Sequence, residues 1–138
     1  MHFRAGWSLV AVIALSAFTG ALAGDDAKRG SETVSYKEHV VPIVNKYCLP
    51  CHAEESDNRS ELSLDTYALM MAGGKNGPAV TAGKPETSLL IQKLAEKPPF
   101  GDRMPLARRR QSKEPPKRLT EAEVRLISEW IAQGAKDN

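Results

Sequence analysis

The chain has 138 residues and a formal net charge of +2, with 19 Lys or Arg against 17 Asp or Glu. This near balance gives no reason to expect a nucleic acid as partner. The length suits a single domain, but only 6% of the residues are aromatic. A small core with so few large side chains needs a further apolar filler.

The first 23 residues predict a secretory signal peptide. Arg4 supplies a positive charge, residues 7–18 form an apolar run, and the small residues Ala21 and Ala23 mark a cleavage site. We therefore expect export to a bacterial periplasm, with no membrane association after cleavage. The alternative is an uncleaved N-terminal membrane anchor, for which the apolar run is near the lower length limit.

A flexible leader is predicted over residues 24–34 because this stretch is polar and contains glycine. A helical domain then follows over residues 35–136. Ser35 and Glu38 form an S-x-x-E capping box that opens the first helix. Pro42 predicts a kink or a fresh helical start within that helix.

The motif Cys48-Leu49-Pro50-Cys51-His52 begins at the C-terminal end of the first helix. It reads C-x-x-C-H, the attachment signature of a c-type haem. Two thiols one helical turn apart can add to the two vinyl groups of one porphyrin, and His52 can then bind the iron from beneath. The motif predicts one covalent haem c, held by Cys48 and Cys51, with His52 as an axial ligand. A buried porphyrin would also supply the missing core filler.

Other chemistries can use parts of the same motif. A thioredoxin-like redox pair needs a βαβ context, whereas the flanks here are helical in pattern. A zinc site needs four ligands, and the other His after the signal is His39. A plain disulfide between Cys48 and Cys51 is the third alternative. His39 is also a candidate second haem ligand, although a surface histidine is the simpler interpretation.

A short helix is predicted over residues 67–71, ending at Gly73-Gly74. Met70 and Met71 within it are expected in the core and not at the iron. The glycines after it are expected to let the backbone approach the porphyrin edge. Lys75, Asn76 and Arg103 are candidates to hold the haem propionates. The next helix opens around Pro85 and carries an apolar stripe that ends at Leu94.

Five of the nine prolines fall within residues 97–119, which predicts a loop, and Met104-Pro105 lies inside it. A thioether is a soft neutral ligand that suits haem iron. Pro105 restricts the backbone of Met104 to extended conformations, as required to hold a sulfur toward a metal without a helix. Met104 is therefore the predicted second axial ligand. The alternative is a buried loop methionine.

Basic residues follow at Arg108, Arg109 and Arg110. Such a run is usually a solvated face, but it could also dock an acidic redox partner. The last helix opens with the capping box at Thr120 and Glu123 and ends at Gly134. Trp130 on this helix is expected to pack against the first helix or the porphyrin.

The order of these elements resembles a class I-like monohaem cytochrome c and, more narrowly, the planctomycete-type cytochrome c domain family. Besides C-x-x-C-H, the resemblance is carried by Val41-Pro42-Ile43, Leu62-Ser63-Leu64-Asp65, Gly73-Gly74, Gly77-Pro78-Ala79, Gly83-Lys84-Pro85, Ser88-Leu89-Leu90, Arg103-Met104-Pro105, Leu119-Thr120, Trp130-Ile131 and Gly134-Ala135. It implies an all-α haem fold with His52 and Met104 as axial ligands. The chain differs from the family pattern at Ala53, at Leu106 and in a basic stretch over residues 107–116.

The predicted function is that of a small exported cytochrome that carries single electrons between redox partner proteins. We expect no catalysis of its own, because the sequence offers no nucleophile with a base and an orienting group. A haem sensor or a peroxidase-like enzyme is the first alternative, and it requires an open sixth iron position. A haem subunit of a larger periplasmic oxidoreductase and a zinc-stapled interaction module are the others.

Overall fold

A computed structural model describes residues 32–106 and 115–138. The α-helices are α1 (Val41–Tyr47), α2 (Tyr67–Ala72), α3 (Leu89–Leu94) and α4 (Glu121–Ala132). A π-helical turn at Tyr36–Val40 precedes α1, and a 3₁₀ turn at Pro85–Thr87 precedes α3. These two ranges contain no strand, which is compatible with the predicted all-α class. None of the helices described is long and apolar enough to cross a membrane.

The first helical segment changes from the π-helical turn to α1 at Val41, directly before Pro42, where the sequence predicted a kink or a fresh helical start. Pro42 lies in the first turn of α1, a position at which proline is favoured because its fixed φ suits a helix. The Ser35 side chain accepts a hydrogen bond from the Glu38 backbone N–H, as in a capping box. The Ser35 backbone N–H, however, donates to Nδ1 of His39 at 2.9 Å. His39 therefore takes the second half of the cap, the part that the sequence assigned to Glu38.

The centre of the core is an aromatic cluster formed by Tyr36, Tyr67 and Trp130. Tyr36 lies 5.3 Å from both other rings, measured between ring centroids. Trp130 is 1% exposed, and its indole N–H donates to the backbone oxygen of Lys136. Trp130 thus packs against the first helical segment, and Met70 is fully buried, as expected for a core residue.

The C-terminal residues fasten the first helical segment to the end of α4. Asn138 accepts hydrogen bonds from Tyr36 through its side chain and from Lys37 through its backbone oxygen. Val34 is only 6% exposed, and its N–H donates to the side chain of Gln133. The predicted leader over residues 24–34 is therefore too long at its end, because Val34 belongs to the core. The predicted signal peptide and residues 24–31 lie outside the described residues.

The third predicted helix is split at Ser88. Its backbone is extended there (ψ 119°), so the 3₁₀ turn ends and α3 begins. The Ser88 hydroxyl is fully buried; it donates to the Lys84 oxygen and accepts from the Thr81 N–H. Ser88 thus fixes the connection between the glycine-containing loop and α3.

Candidate haem site

The C-x-x-C-H motif begins where α1 ends. Cys48 is the C-terminal cap of α1, and its N–H donates to the Val44 oxygen at 2.8 Å. One turn later the His52 N–H donates to the Cys48 oxygen at 3.1 Å. Both thiols are free, with Cys48 half-buried against the core and Cys51 exposed.

The two thiols lie in different surroundings, and this affects the chemistry of Cys48. Burial raises the pKa of the Cys48 thiol to about 11, and the neighbouring Cys51 raises it as well. Redox-active cysteine pairs instead depress the pKa of one thiol to form a thiolate. Cys48 is therefore protonated at neutral pH and does not have the character of an activated redox thiol.

The imidazole of His52 is held in one orientation. Its Nδ1 lies 3.1 Å from the backbone oxygen of Leu62, which can only accept a hydrogen bond. Nδ1 therefore carries the proton, and the lone pair of Nε2 is left for a metal. The Leu64 N–H donates to the His52 oxygen at 2.8 Å, so this segment holds His52 by both backbone and ring.

Gly74 supports the segment that holds His52. A Cβ at Gly74 would lie 2.5 Å from the backbone oxygen of Ser60 and 2.9 Å from the backbone nitrogen of Leu62. The Lys75 N–H also donates to the Ser60 oxygen. The sequence predicted that the glycines let the backbone approach the porphyrin edge. At Gly74 the close neighbour is the backbone of residues 60–62, where the two loops cross without room for a side chain.

Met104 lies in a loop that is fastened to the end of α3. Its N–H donates to the Lys93 oxygen at 2.8 Å, and its side chain is half-buried against the same core cluster as Cys48. The Lys93 ammonium donates to the Phe100 oxygen, which secures the start of the loop. The two predicted ligand segments therefore pack on one core from different parts of the chain.

Arg118 is a residue of this site that sequence reasoning missed. Its guanidinium donates to the backbone oxygens of Arg103 at 3.2 Å and Pro105 at 2.6 Å, one on each side of Met104. Arg103 itself donates from Nε to the Leu94 oxygen at 2.7 Å. Backbone acceptors carry no residue signature, so only the basic character of Arg118 was visible in the sequence.

Glu123 is the second missed residue, because the sequence showed only its capping role. The Tyr47 hydroxyl and the Lys46 ammonium both donate to its carboxylate, at 2.8 and 2.9 Å. These two residues directly precede Cys48. The start of α4 is thereby attached to the end of α1, where the C-x-x-C-H motif begins.

The zinc alternative, His39 and the basic residues are the other predicted features of the site. The described residues contain no group of three or more His, Cys, Asp or Glu arranged to hold a metal ion. Nδ1 of His39, a candidate second haem ligand, accepts the Ser35 N–H. The predicted docking residues Arg108, Arg109 and Arg110 lie outside the described ranges.

The described part of the chain is helical without strands, and it places a C-x-x-C-H turn and a methionine loop on one core, which are features of a cytochrome c domain. Residues 48–105 match the family model described as Planctomycete cytochrome C. The match confirms the resemblance predicted from the sequence and indicates a haem-binding role in electron transfer. Comparison with curated proteins and with solved structures gives no match.

Proposed function

We propose that this chain is an exported monohaem c-type cytochrome that carries single electrons between redox partners. Cys48 and Cys51 would hold the haem through thioether bonds, and His52 and Met104 would be its axial ligands. The observation that carries the proposal is the family match, which runs from Cys48 to Pro105 and so contains all four residues.

The described residues fit a haem group. His52 presents the Nε2 lone pair, while Leu62 occupies the other ring nitrogen. Apolar side chains of both ligand segments and their neighbours are left partly exposed around the core: Tyr47, Cys48, Leu49, Leu62, Tyr67, Met71, Leu90, Ile91 and Met104. A flat apolar group in contact with them would remove further apolar surface from water, at about 25 cal/mol per Å².

A bound haem iron supplies one-electron chemistry, alternating between its ferric and ferrous states. The chain's own residues set the conditions for that chemistry. A neutral imidazole and a neutral thioether would favour the ferrous state more than an anionic ligand does. The core around Cys48 and Met104 would exclude water from the iron's surroundings, which limits the reorganisation that accompanies each electron.

The proposal also includes location and partners. The predicted signal peptide would deliver the chain to the periplasm, where covalent haem attachment to C-x-x-C-H takes place. An acidic redox partner would dock on the basic stretch at Arg108–Arg110, and the dependence of the electron-transfer rate on ionic strength tests this. A partner that co-purifies in fixed proportion would instead indicate a subunit of a larger oxidoreductase.

The visible spectrum of the protein, produced with a haem-attachment system, tests the ligand set. We expect a covalent c-type spectrum whose ferric form shows the weak far-red band of a sulfur–iron bond. Met104→Ala should abolish that band and open the iron to carbon monoxide in the ferrous state. Met71→Ala is the matched control, since it removes another half-buried methionine and should leave the band in place.

Each other outcome points to a different function. A haem spectrum without the far-red band, together with rapid carbon monoxide binding by the unaltered protein, would favour a sensor or a peroxidase-like enzyme. Loss of the band in Met71→Ala but not in Met104→Ala would move the ligand to α2. Absence of haem, with zinc found by metal analysis, would overturn the proposal in favour of the zinc-stapled module.

A further inference from the structure

The peptide unit between Arg103 and Met104 is held at both of its polar edges. Its N–H, which belongs to Met104, donates to the Lys93 oxygen at 2.8 Å. Its carbonyl oxygen, which belongs to Arg103, accepts from the Arg118 guanidinium at 3.2 Å. A peptide unit is planar, so fixing both edges fixes the orientation of the whole plane.

The same guanidinium nitrogen of Arg118 donates to the Pro105 oxygen at 2.6 Å, on the far side of Met104. One side chain thus holds the backbone both before and after the methionine. Hydrogen bonds from a charged donor are shorter and stronger than those between neutral groups. Arg118 therefore restrains the backbone directions on which the position of the Met104 side chain depends.

Arg118 belongs to a different part of the chain, two residues before Thr120, the residue that caps α4. Glu123 in the same cap is attached to Lys46 and Tyr47, which directly precede Cys48. The start of α4 thereby connects the methionine loop to the C-x-x-C-H turn. The start of α4 therefore links the backbone of Met104 to the segment that begins at Cys48, in addition to the link through the shared core.

We propose that Arg118 is a positioning residue that holds Met104 at the distance and orientation needed for iron ligation. The inference rests on the proposed ligation of haem iron by Met104. Without the guanidinium, the loop would populate conformations in which the sulfur has left the iron. An external ligand could then compete for the vacated position more easily, since its apparent affinity rises with the open fraction.

Imidazole titration of the ferric holoprotein tests this role, with the far-red band as the readout. We expect Arg118→Gln to keep the covalent haem and to bind imidazole about tenfold more tightly than the unaltered protein, which corresponds to about 1.4 kcal/mol. Lys117→Gln is the matched control, because it removes the same charge from the exposed neighbouring side chain. Its imidazole affinity should remain unchanged.

Arg118→Lys separates charge from geometry and also covers the case in which Arg118→Gln does not fold. Lys retains the charge but lacks the planar fork of donors. The affinity of the Arg118→Lys protein for imidazole should therefore lie between those of Arg118→Gln and the unaltered protein. Equal affinities in the unaltered protein and both Arg118 variants would overturn the inference while leaving the ligation by Met104 intact. An unaltered protein without the far-red band, whose imidazole affinity Met104→Ala does not change, would overturn the ligation and with it the inference.

Discussion

At the scale of single residues, Glu123 combines two tasks in one carboxylate. It completes the capping box of α4 with Thr120, and it receives hydrogen bonds from Lys46 and Tyr47 of α1. Burial alone would raise the pKa of the Glu123 carboxyl, but the hydrogen bonds from Lys46, Thr120 and Tyr47 together lower it to about 2. The ionised form is therefore specifically stabilised in the folded protein.

The pH dependence of stability tests this carboxylate. A pKa lowered on folding contributes stability that is fully present above the unfolded value and is lost as the pH falls toward the folded value. Glu123→Gln should lower the free energy of unfolding at pH 7 by about 1 kcal/mol, since solvent screening reduces the contribution of charged hydrogen bonds near the surface. In urea unfolding, the difference from the unaltered protein should shrink between about pH 5 and pH 2.

Glu121→Gln provides the control for this experiment. Glu121 lies in the same first turn of α4, but its side chain is exposed. Its neutralisation removes only the favourable interaction of a negative charge with the helix N-terminus, worth a few tenths of a kcal/mol. Equal losses in the two variants, or a loss for Glu123→Gln that does not vary with pH, would contradict the double role of Glu123.

At the scale of elements, local chemistry made some boundaries predictable. The start of α4 follows from its capping box, and the restart of α1 follows from Pro42, because each depends on residues within one helical turn. Local chemistry does not predict the hydrogen bond between His52 and the Leu62 carbonyl. It does not predict the hydrogen bonds from Arg118 to Arg103 and Pro105 either. Both use backbone acceptors that every residue possesses, and their donors come from distant parts of the chain.

The crossing of two loops at Gly74 leads to a testable expectation for the histidine side of the site. Gly74→Ala would place a methyl group against the backbone of Ser60 and Leu62, so the segment that accepts the His52 proton must move. We expect a loss of unfolding free energy of about 1–3 kcal/mol, typical of overpacking. The ferric haem spectrum should change with it, because the imidazole loses its fixed orientation.

Gly83→Ala separates this effect from simple backbone strain. Gly83 has φ +77°, but nothing lies within 4 Å of a Cβ built there. Its substitution should cost about 1 kcal/mol for the left-handed backbone, with no change in the haem spectrum. If the two variants gave the same spectrum and the same stability, the crossing at Gly74 would have no part in orienting His52.

At the scale of the whole molecule, charge is distributed unevenly along a nearly neutral chain. Residues 93–118 contain nine Lys or Arg and three Asp or Glu, a formal charge of +6 against +2 for the entire chain. This range includes Met104 and the predicted docking residues Arg108–Arg110. Phe100 and Leu106, the large apolar side chains most exposed in the described part, also belong to it. The proposed docking residues therefore belong to a stretch of sequence that is strongly basic and also contains these two exposed apolar side chains.

Stopped-flow reduction by an acidic flavodoxin tests the proposed partner surface. The rate constant should fall about tenfold between low and physiological ionic strength, because salt screens the attraction that steers the two proteins together. Neutralising Arg108, Arg109 and Arg110 to Gln should lower the rate constant at low ionic strength and weaken its dependence on salt.

The matched control removes three exposed positive charges elsewhere, at Lys84, Arg125 and Lys136. If attraction depends on the basic stretch and not on net charge alone, this control should retain more of the rate constant than the triple Arg variant. Identical kinetics for the two triple variants, or rate constants that do not change with ionic strength, would argue against docking at Arg108–Arg110.

The hydrogen bond between Arg118 and the Pro105 oxygen also bears on how such a protein can diverge. It joins two points of the chain that are 13 residues apart. The entropic cost of closing a loop grows slowly, by about 0.6 kcal/mol for each doubling of its length. Insertions and deletions between Pro105 and Arg118 should therefore cost little free energy, while the backbone at Met104 keeps its anchorage.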